Sequence, residues 1–115
     1  MNGERTSTLN ERWAWVEIPF HDTMKRRVWE GAKTCTSRNK RYGKVGDRFR
    51  IGIHQYRITG IMKRSLEYVC TKLYKEEGFE SEQAFVDFWN ILHPSKLFDP
   101  NQMVYVHFFE EVEVR

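Results

Sequence analysis

The sequence predicts an α+β domain: a mixed, mostly antiparallel sheet curled into a small barrel and flanked by about three helices. Three observations carry this. Period-2 stretches such as Arg48–Ile53 and Tyr56–Ile61 are separated by short turns, as in antiparallel hairpins. Three segments carry the apolar spacing of helices. The order of elements is mixed, with no repeat and no regular alternation of strand and helix, which excludes a parallel βαβ sheet. The 115 residues suffice for one domain, and 15% aromatic and 30% charged residues make a globular composition.

In chain order, residues 1–12 read as a flexible polar lead and 13–115 as the domain. Trp13–Ile18 has the aromatic and β-branched character of a strand that Pro19 ends. Asp22 is the expected N-cap of a helix to about Glu30, with Met24 and Val28 on its apolar face and Gly31 as its C-terminal stop. An extended segment follows, then a basic loop from Arg38 to Lys44. Phe49, Ile51 and Ile53 alternate with polar residues, His54-Gln55 forms a hairpin loop, and Tyr56–Ile61 returns with a bulge at Gly60. Ser65 caps a second helix ending near Glu77-Gly78, its stripe made by Leu66, Val69, Cys70, Leu73 and Tyr74. Ser81 caps a third, with Phe85, Phe88, Trp89 and Leu92 inward and His93-Pro94 as its end. Met103–Phe109 is apolar on both faces and reads as a central strand continuing to Val114. The four tryptophans read as mostly core, with one near the Gly31–Arg38 segment available to stack on a base.

Charge is uneven although the formal net charge is only +3. Lys25–Arg50 holds ten Lys or Arg against Glu30 and Asp47, whereas Glu76–Arg115 holds nine acids against two bases. The basic half suits a phosphate-bearing or nucleotide-like partner such as RNA. No apolar run serves as a signal peptide or approaches the ~18 residues of a membrane span. Cys35 and Cys70, without a CxxC, read as free thiols of a reduced, cytoplasmic protein, with a disulfide between them as the less favoured alternative. His21, His54, His93 and His107 show no metal-ligand spacing with one another or with the cysteines, so neither a metal nor a cofactor is expected.

The densest chemistry lies in Gly31-Ala32-Lys33-Thr34-Cys35-Thr36-Ser37-Arg38, which reads as G-x-K-x-x-x-x-R. Leaving a short helix and entering a strand, this pattern resembles the signature of the ASCH domain family, part of the PUA-like superfamily of small β-barrels. Tyr42–Asp47 resembles the family's turn before its next strand. Glu77–Ser81 with Phe85, Trp89 and His93-Pro94 resembles the helical insert of one branch, and Phe98-Asp99-Pro100 with Val104–His107 resembles that branch's last strand.

The resemblance implies an RNA- or nucleotide-related role. Small bacterial members, similar here at G-x-K-T-x-T-x-R, hydrolyse the acetyl amide on the exocyclic amine of acetylcytidine. Their lysine maps onto Lys33, their threonine onto Thr36 and their distant glutamate onto Glu77, with Glu76 the neighbouring register. Amide cleavage needs a nucleophile, a base and charge stabilisation. Lys33, ordinarily titrating near ~10.4, serves as a base only if burial and cations such as Arg38 favour its neutral form. Glu77 can relay the proton to the leaving amine. Arg38 is expected to bind substrate, joined by Gly31, Arg41 and Tyr42.

Residues three apart on a regular strand face opposite sides. A Lys33–Thr36 pair therefore requires an irregular start to the strand after Gly31. Cys35, flanked by Lys33 and Arg38, is the rival nucleophile, but strand parity turns it away from Thr36. The competing reading is a non-catalytic RNA-binding module using the same basic cleft. A ribonuclease comes third, because no histidine pair accompanies the motif.

Overall fold

The computed structural model describes residues 12–113, so the expected lead and the last strand's extension to Val114 lie outside the described residues. Among these the elements run α1 (Asp22–Trp29), β1 (Cys35–Arg38), β2 (Arg48–Ile51), β3 (His54–Ser65), α2 (Leu66–Lys72), α3 (Glu82–Leu92) and β4 (Met103–Val112). The strands form one antiparallel sheet in the order β1-β4-β3-β2. The sheet curls into a half-barrel flanked by the helices, as the α+β reading requires.

Strand β4 is central, and its residues explain why. Val104, Val106 and His107 are fully buried and Phe109 nearly so, so neither face tolerates solvent. The curl is helped by a bulge in β3: Ile58 pairs with Phe109 but Gly60 with Phe108, leaving Thr59 as the extra residue. Inside the curl, Phe49 packs against Tyr56 and Phe109 at ring distances of 5.4 and 5.2 Å. A second core lies under α2 and α3, where Leu66, Val69, Phe85 and Trp89 meet Cys35, Val104 and Val106. Phe20 touches both cores, which places the segment before α1 at their junction.

Several boundaries differ from expectation for local reasons. Trp13–Ile18 makes only a parallel bridge between Trp15 and Arg48, through Val16 N–H to the Arg48 carbonyl and Arg48 N–H to the Ala14 carbonyl. The Asp47 carboxylate takes the Ala14 amide instead of a ladder partner. The indoles of Trp13 and Trp15 carry the Arg48 and Arg50 guanidiniums at 4.4 and 3.9 Å, so they are cation platforms. Trp15 and Trp29 are 44% and 45% exposed, and of the four tryptophans only Trp89 is fully in the core.

His21, not Asp22, caps α1: its Nδ1 accepts the Thr23 amide at 3.1 Å, and Asp22 sits in the first turn. The β2–β3 turn falls at Gly52-Ile53, because Gly52 adopts φ +65°; Ile53 is 90% exposed, while His54 and Gln55 already pair with Ile51 and Arg50. Helix α2 stops at Lys72, and residues 73–78 continue as irregular turns that bring Glu77 back toward β1.

Candidate active site

Three devices aim the Gly31–Arg38 segment. Gly31 takes φ +80° and ends α1. The Ala32 and Lys33 amides both donate to the Arg27 carbonyl, at 2.9 and 3.0 Å. The Thr34 and Cys35 amides both donate to the Glu76 carbonyl, at 2.7 and 3.1 Å. The regular strand begins only at Cys35. This irregular start, required above, lets Lys33 and Thr36 line one cavity.

Lys33 and Glu77 meet there as a buried ion pair. Lys33 Nζ donates to Glu77 Oε1 at 2.8 Å and to the Glu77 carbonyl at 3.0 Å, with side chains only 3% and 4% exposed. Glu76 is exposed and contributes its carbonyl alone, so the carboxylate at Lys33 belongs to Glu77. The second carboxylate oxygen, Oε2, accepts the Ser37 hydroxyl at 2.6 Å and the Cys35 thiol at 3.7 Å. Gly78 keeps this packing tight: a Cβ there would sit 3.1 Å from the Lys33 Cβ.

Thr36 lies on the other parity of β1. Its Oγ1 accepts from Arg38 Nε at 3.0 Å, and its carbonyl accepts from His107 Nδ1 at 3.2 Å. His107 Nε2 in turn accepts the Tyr42 amide at 2.9 Å. These two bonds fix the Nδ1–H tautomer, and burial lowers the His107 pKa below its ordinary value. Burial also lowers the Arg38 pKa, against the opposing influence of Tyr42 and Glu77. The Arg38 guanidinium lies 4.8 Å from the Phe20 ring and 5.9 Å from the Tyr42 ring. The Cys35 thiol is pushed far up by burial, then by the Glu77 charge, which removes its thiolate from neutral chemistry.

The cavity holds about 360 Å³. Its polar end is made by Lys33, Thr36, Ser37, Arg38, Asn39 and Glu77. The rest of the lining is mostly aromatic: Phe20, Phe79, Phe85, Phe88 and Trp89, with His21, Leu92 and His93. Of the residues expected to bind substrate, only Arg38 lines it. Gly31 shapes the backbone, Tyr42 supports Arg38 and His107 from behind, and Arg41 turns outward to the Gly43 carbonyl.

Sequence reading missed Ser37, His107, His21 and His93. Parity with Cys35 pointed Ser37 to the same side, but nothing local revealed that Glu77 waits there. The sequence shows no histidine pair beside the motif, yet the fold brings His21 and His93 to one cavity. Among the described residues, no group of three or more His, Cys, Asp or Glu is placed to hold a metal ion, and no helix is long and apolar enough to cross a membrane.

No family model matches the chain, and no curated protein matches it. Solved structures do. The ASCH domain from Lactobacillus crispatus JV V101 superposes with a TM-score of 0.62 at 12% identity, over 96% of this chain and 86% of that one. A protein from Enterococcus faecalis V583 gives 0.59 at 20% identity, over 87% and 76%. An S128A mutant of the Zymomonas mobilis ASCH protein gives 0.59 at 13%, over 84% and 67%. The chain has the fold of these structures, the Lactobacillus and Zymomonas ASCH domains among them.

Proposed function

We propose that the cavity hydrolyses the acyl amide on the exocyclic amine of a pyrimidine nucleoside, acetylcytidine being the model substrate and cytidine and acetate the products. One observation carries this reading: a buried Lys33–Glu77 pair lines the same cavity as Thr36, at the polar end of an otherwise aromatic space of about 360 Å³. Aromatic walls suit a flat base, and the volume falls within the range of small-molecule sites.

Each residue has a task. In this scheme Lys33 Nζ first passes a proton to Glu77 Oε1, 2.8 Å away. The neutral Lys33 amine accepts the Thr36 proton. Thr36 Oγ1 attacks the acyl carbon, and Arg38 stabilises the oxyanion. The protonated Glu77 gives its proton to the exocyclic nitrogen as the C–N bond breaks, leaving an acyl ester on Thr36 and freeing cytidine. Water, deprotonated by Lys33 after the same internal transfer, attacks the ester. Thr36 leaves with the Glu77 proton, and the starting pair is restored.

The test is direct: purified protein is incubated with acetylcytidine and cytidine release is followed. Turnover that falls at least about 100-fold in Thr36→Ala, the scale of losing a nucleophile or base, supports the reading. No turnover, or turnover indifferent to Thr36, sinks it.

A second reading, an RNA-binding module, is favoured by the exposed Arg50–Trp15 stack beside the half-buried Arg48–Trp13 stack. It requires RNA affinity that falls steeply with salt.

A further inference from the structure

We propose that His21 and His93 read the sugar of the bound nucleoside, selecting a ribose with its vicinal 2′,3′-diol over deoxyribose. This rests on the acyl-nucleoside reading of the same cavity.

Both histidines line the cavity, and each has one ring nitrogen committed. His21 Nδ1 accepts the Thr23 amide at 3.1 Å, so the ring proton sits on Nε2 and that nitrogen is a donor. His93 Nδ1 lies 2.9 Å from the Trp89 carbonyl, an acceptor, so Nδ1 carries the proton and Nε2 is a lone-pair acceptor. The two rings are held rather than free. His93 stacks on Trp89 at 4.1 Å and 24°, and His21 meets Phe88 edge-on at 5.2 Å and 89°. Both Nε2 atoms are without a protein partner among the described residues.

The cavity has a direction. Lys33, Thr36, Ser37 and Glu77 are all under 9% exposed, whereas His21 is exposed and His93 half-buried, at the mouth. On a pyrimidine ring the exocyclic amine at C4 and the sugar at N1 are para to one another. With the acyl amine at the buried end, the sugar must emerge at the mouth. A donor and an acceptor there match two hydroxyls, each of which both donates and accepts. A phosphate oxygen, which only accepts, would satisfy His21 but face the His93 lone pair. One ribose hydroxyl therefore accepts from His21 Nε2–H, and the other donates to His93 Nε2.

Two substitutions keep the supports and delete the readers. His21→Asn retains an N-cap oxygen for the Thr23 amide on a side chain too short to span to the sugar. His93→Phe retains the stack on Trp89. Binding of cytidine, 2′-deoxycytidine and 3′-deoxycytidine is measured by calorimetry on the full chain and on the double variant. The wild type is expected to bind cytidine about tenfold more tightly than either deoxynucleoside, the scale of one lost hydrogen bond. In the double variant the preference is expected to shrink to within about twofold. A wild-type preference already within twofold, or one that survives in the double variant, overturns the proposal. Acetylcytidine hydrolysis is scored separately. A protein that fails to hydrolyse but shows the histidine-dependent preference sinks the hydrolase reading and upholds sugar reading. One that hydrolyses without the preference sinks sugar reading alone.

Discussion

Lys33 and Glu77 stand 44 residues apart in the chain and 2.8 Å apart in the fold. Three parts of the fold converge on that contact. The irregular backbone after Gly31 presents the lysine, the turns after α2 return the glutamate, and Ser37 occupies the remaining carboxylate oxygen.

The pair makes a stability prediction. Lys33→Met or Glu77→Gln alone removes one partner; for Lys33→Met a buried carboxylate is left uncompensated, which costs about 3–5 kcal/mol. Joint replacement by Lys33→Met and Glu77→Gln removes both charges and is expected to cost less than the two single losses added together. Urea denaturation of the three variants checks this, and strictly additive losses would contradict the coupling.

Ser37 is expected to matter through Glu77. Its hydroxyl bonds a buried carboxylate, a class of bond worth about 1.5–3 kcal/mol. Ser37→Ala should lose stability on that scale, and Ser37→Thr should recover part of it. If Ser37→Ala unfolds at the wild-type denaturant midpoint, the hydroxyl is not holding Glu77.

Gly78 and Gly31 form a matched pair of tests. Both adopt positive φ, but an alanine Cβ at Gly31 meets open space, while at Gly78 it comes within 3.1 Å of Lys33 and 3.4 Å of Arg27. Gly31→Ala is expected to cost about 1 kcal/mol of backbone strain. Gly78→Ala should cost more and lower turnover as well, because it displaces the lysine. Equal stability losses with unchanged turnover would mean that Gly78 does not set the pair.

His107 predicts the pH dependence of stability. Its folded pKa lies below the ordinary value of about 6.5, so the folded state prefers neutral imidazole. The contribution is fully present above about pH 6.5. It is lost as pH falls toward the folded value, because the unfolded chain binds the proton first, with a slope of at most about 1.4 kcal/mol per pH unit. Denaturation of His107→Gln and wild type from pH 7.5 to 5.5 should show the shallower decline in the variant. Parallel declines would contradict it.

The same burial makes Cys35 unreactive. Alkylation of its thiol at pH 8 should track unfolding and not thiol concentration or reagent strength. Rapid labelling of native protein would show that the site opens.

Periodicity and caps made most of the fold legible. Ser65 and Ser81 cap α2 and α3, Gly60 marks the bulge, and the doubly apolar Met103–Phe109 lies at the sheet centre. What misled was aromatic content read without its partners. Trp15 resembles a strand residue, yet Arg50 holds it at the surface. His21 displaced Asp22 as a cap because its ring nitrogen reaches the Thr23 amide, which starts the helix one residue earlier. At the site, Lys33 and Thr36 were visible because they share one short motif. Ser37, His107 and His93 owe their roles to tertiary neighbours that no local pattern encodes.

The central claim is that Thr36 carries the acyl group. Wild-type protein turning over acetylcytidine is quenched in acid during the first turnover, and its peptides are weighed. The account predicts one acetyl group on the peptide spanning β1, mapped by fragmentation to Thr36 and absent from Thr36→Ala. Turnover with an unmodified Thr36, or with the acetyl group on Ser37, would contradict it.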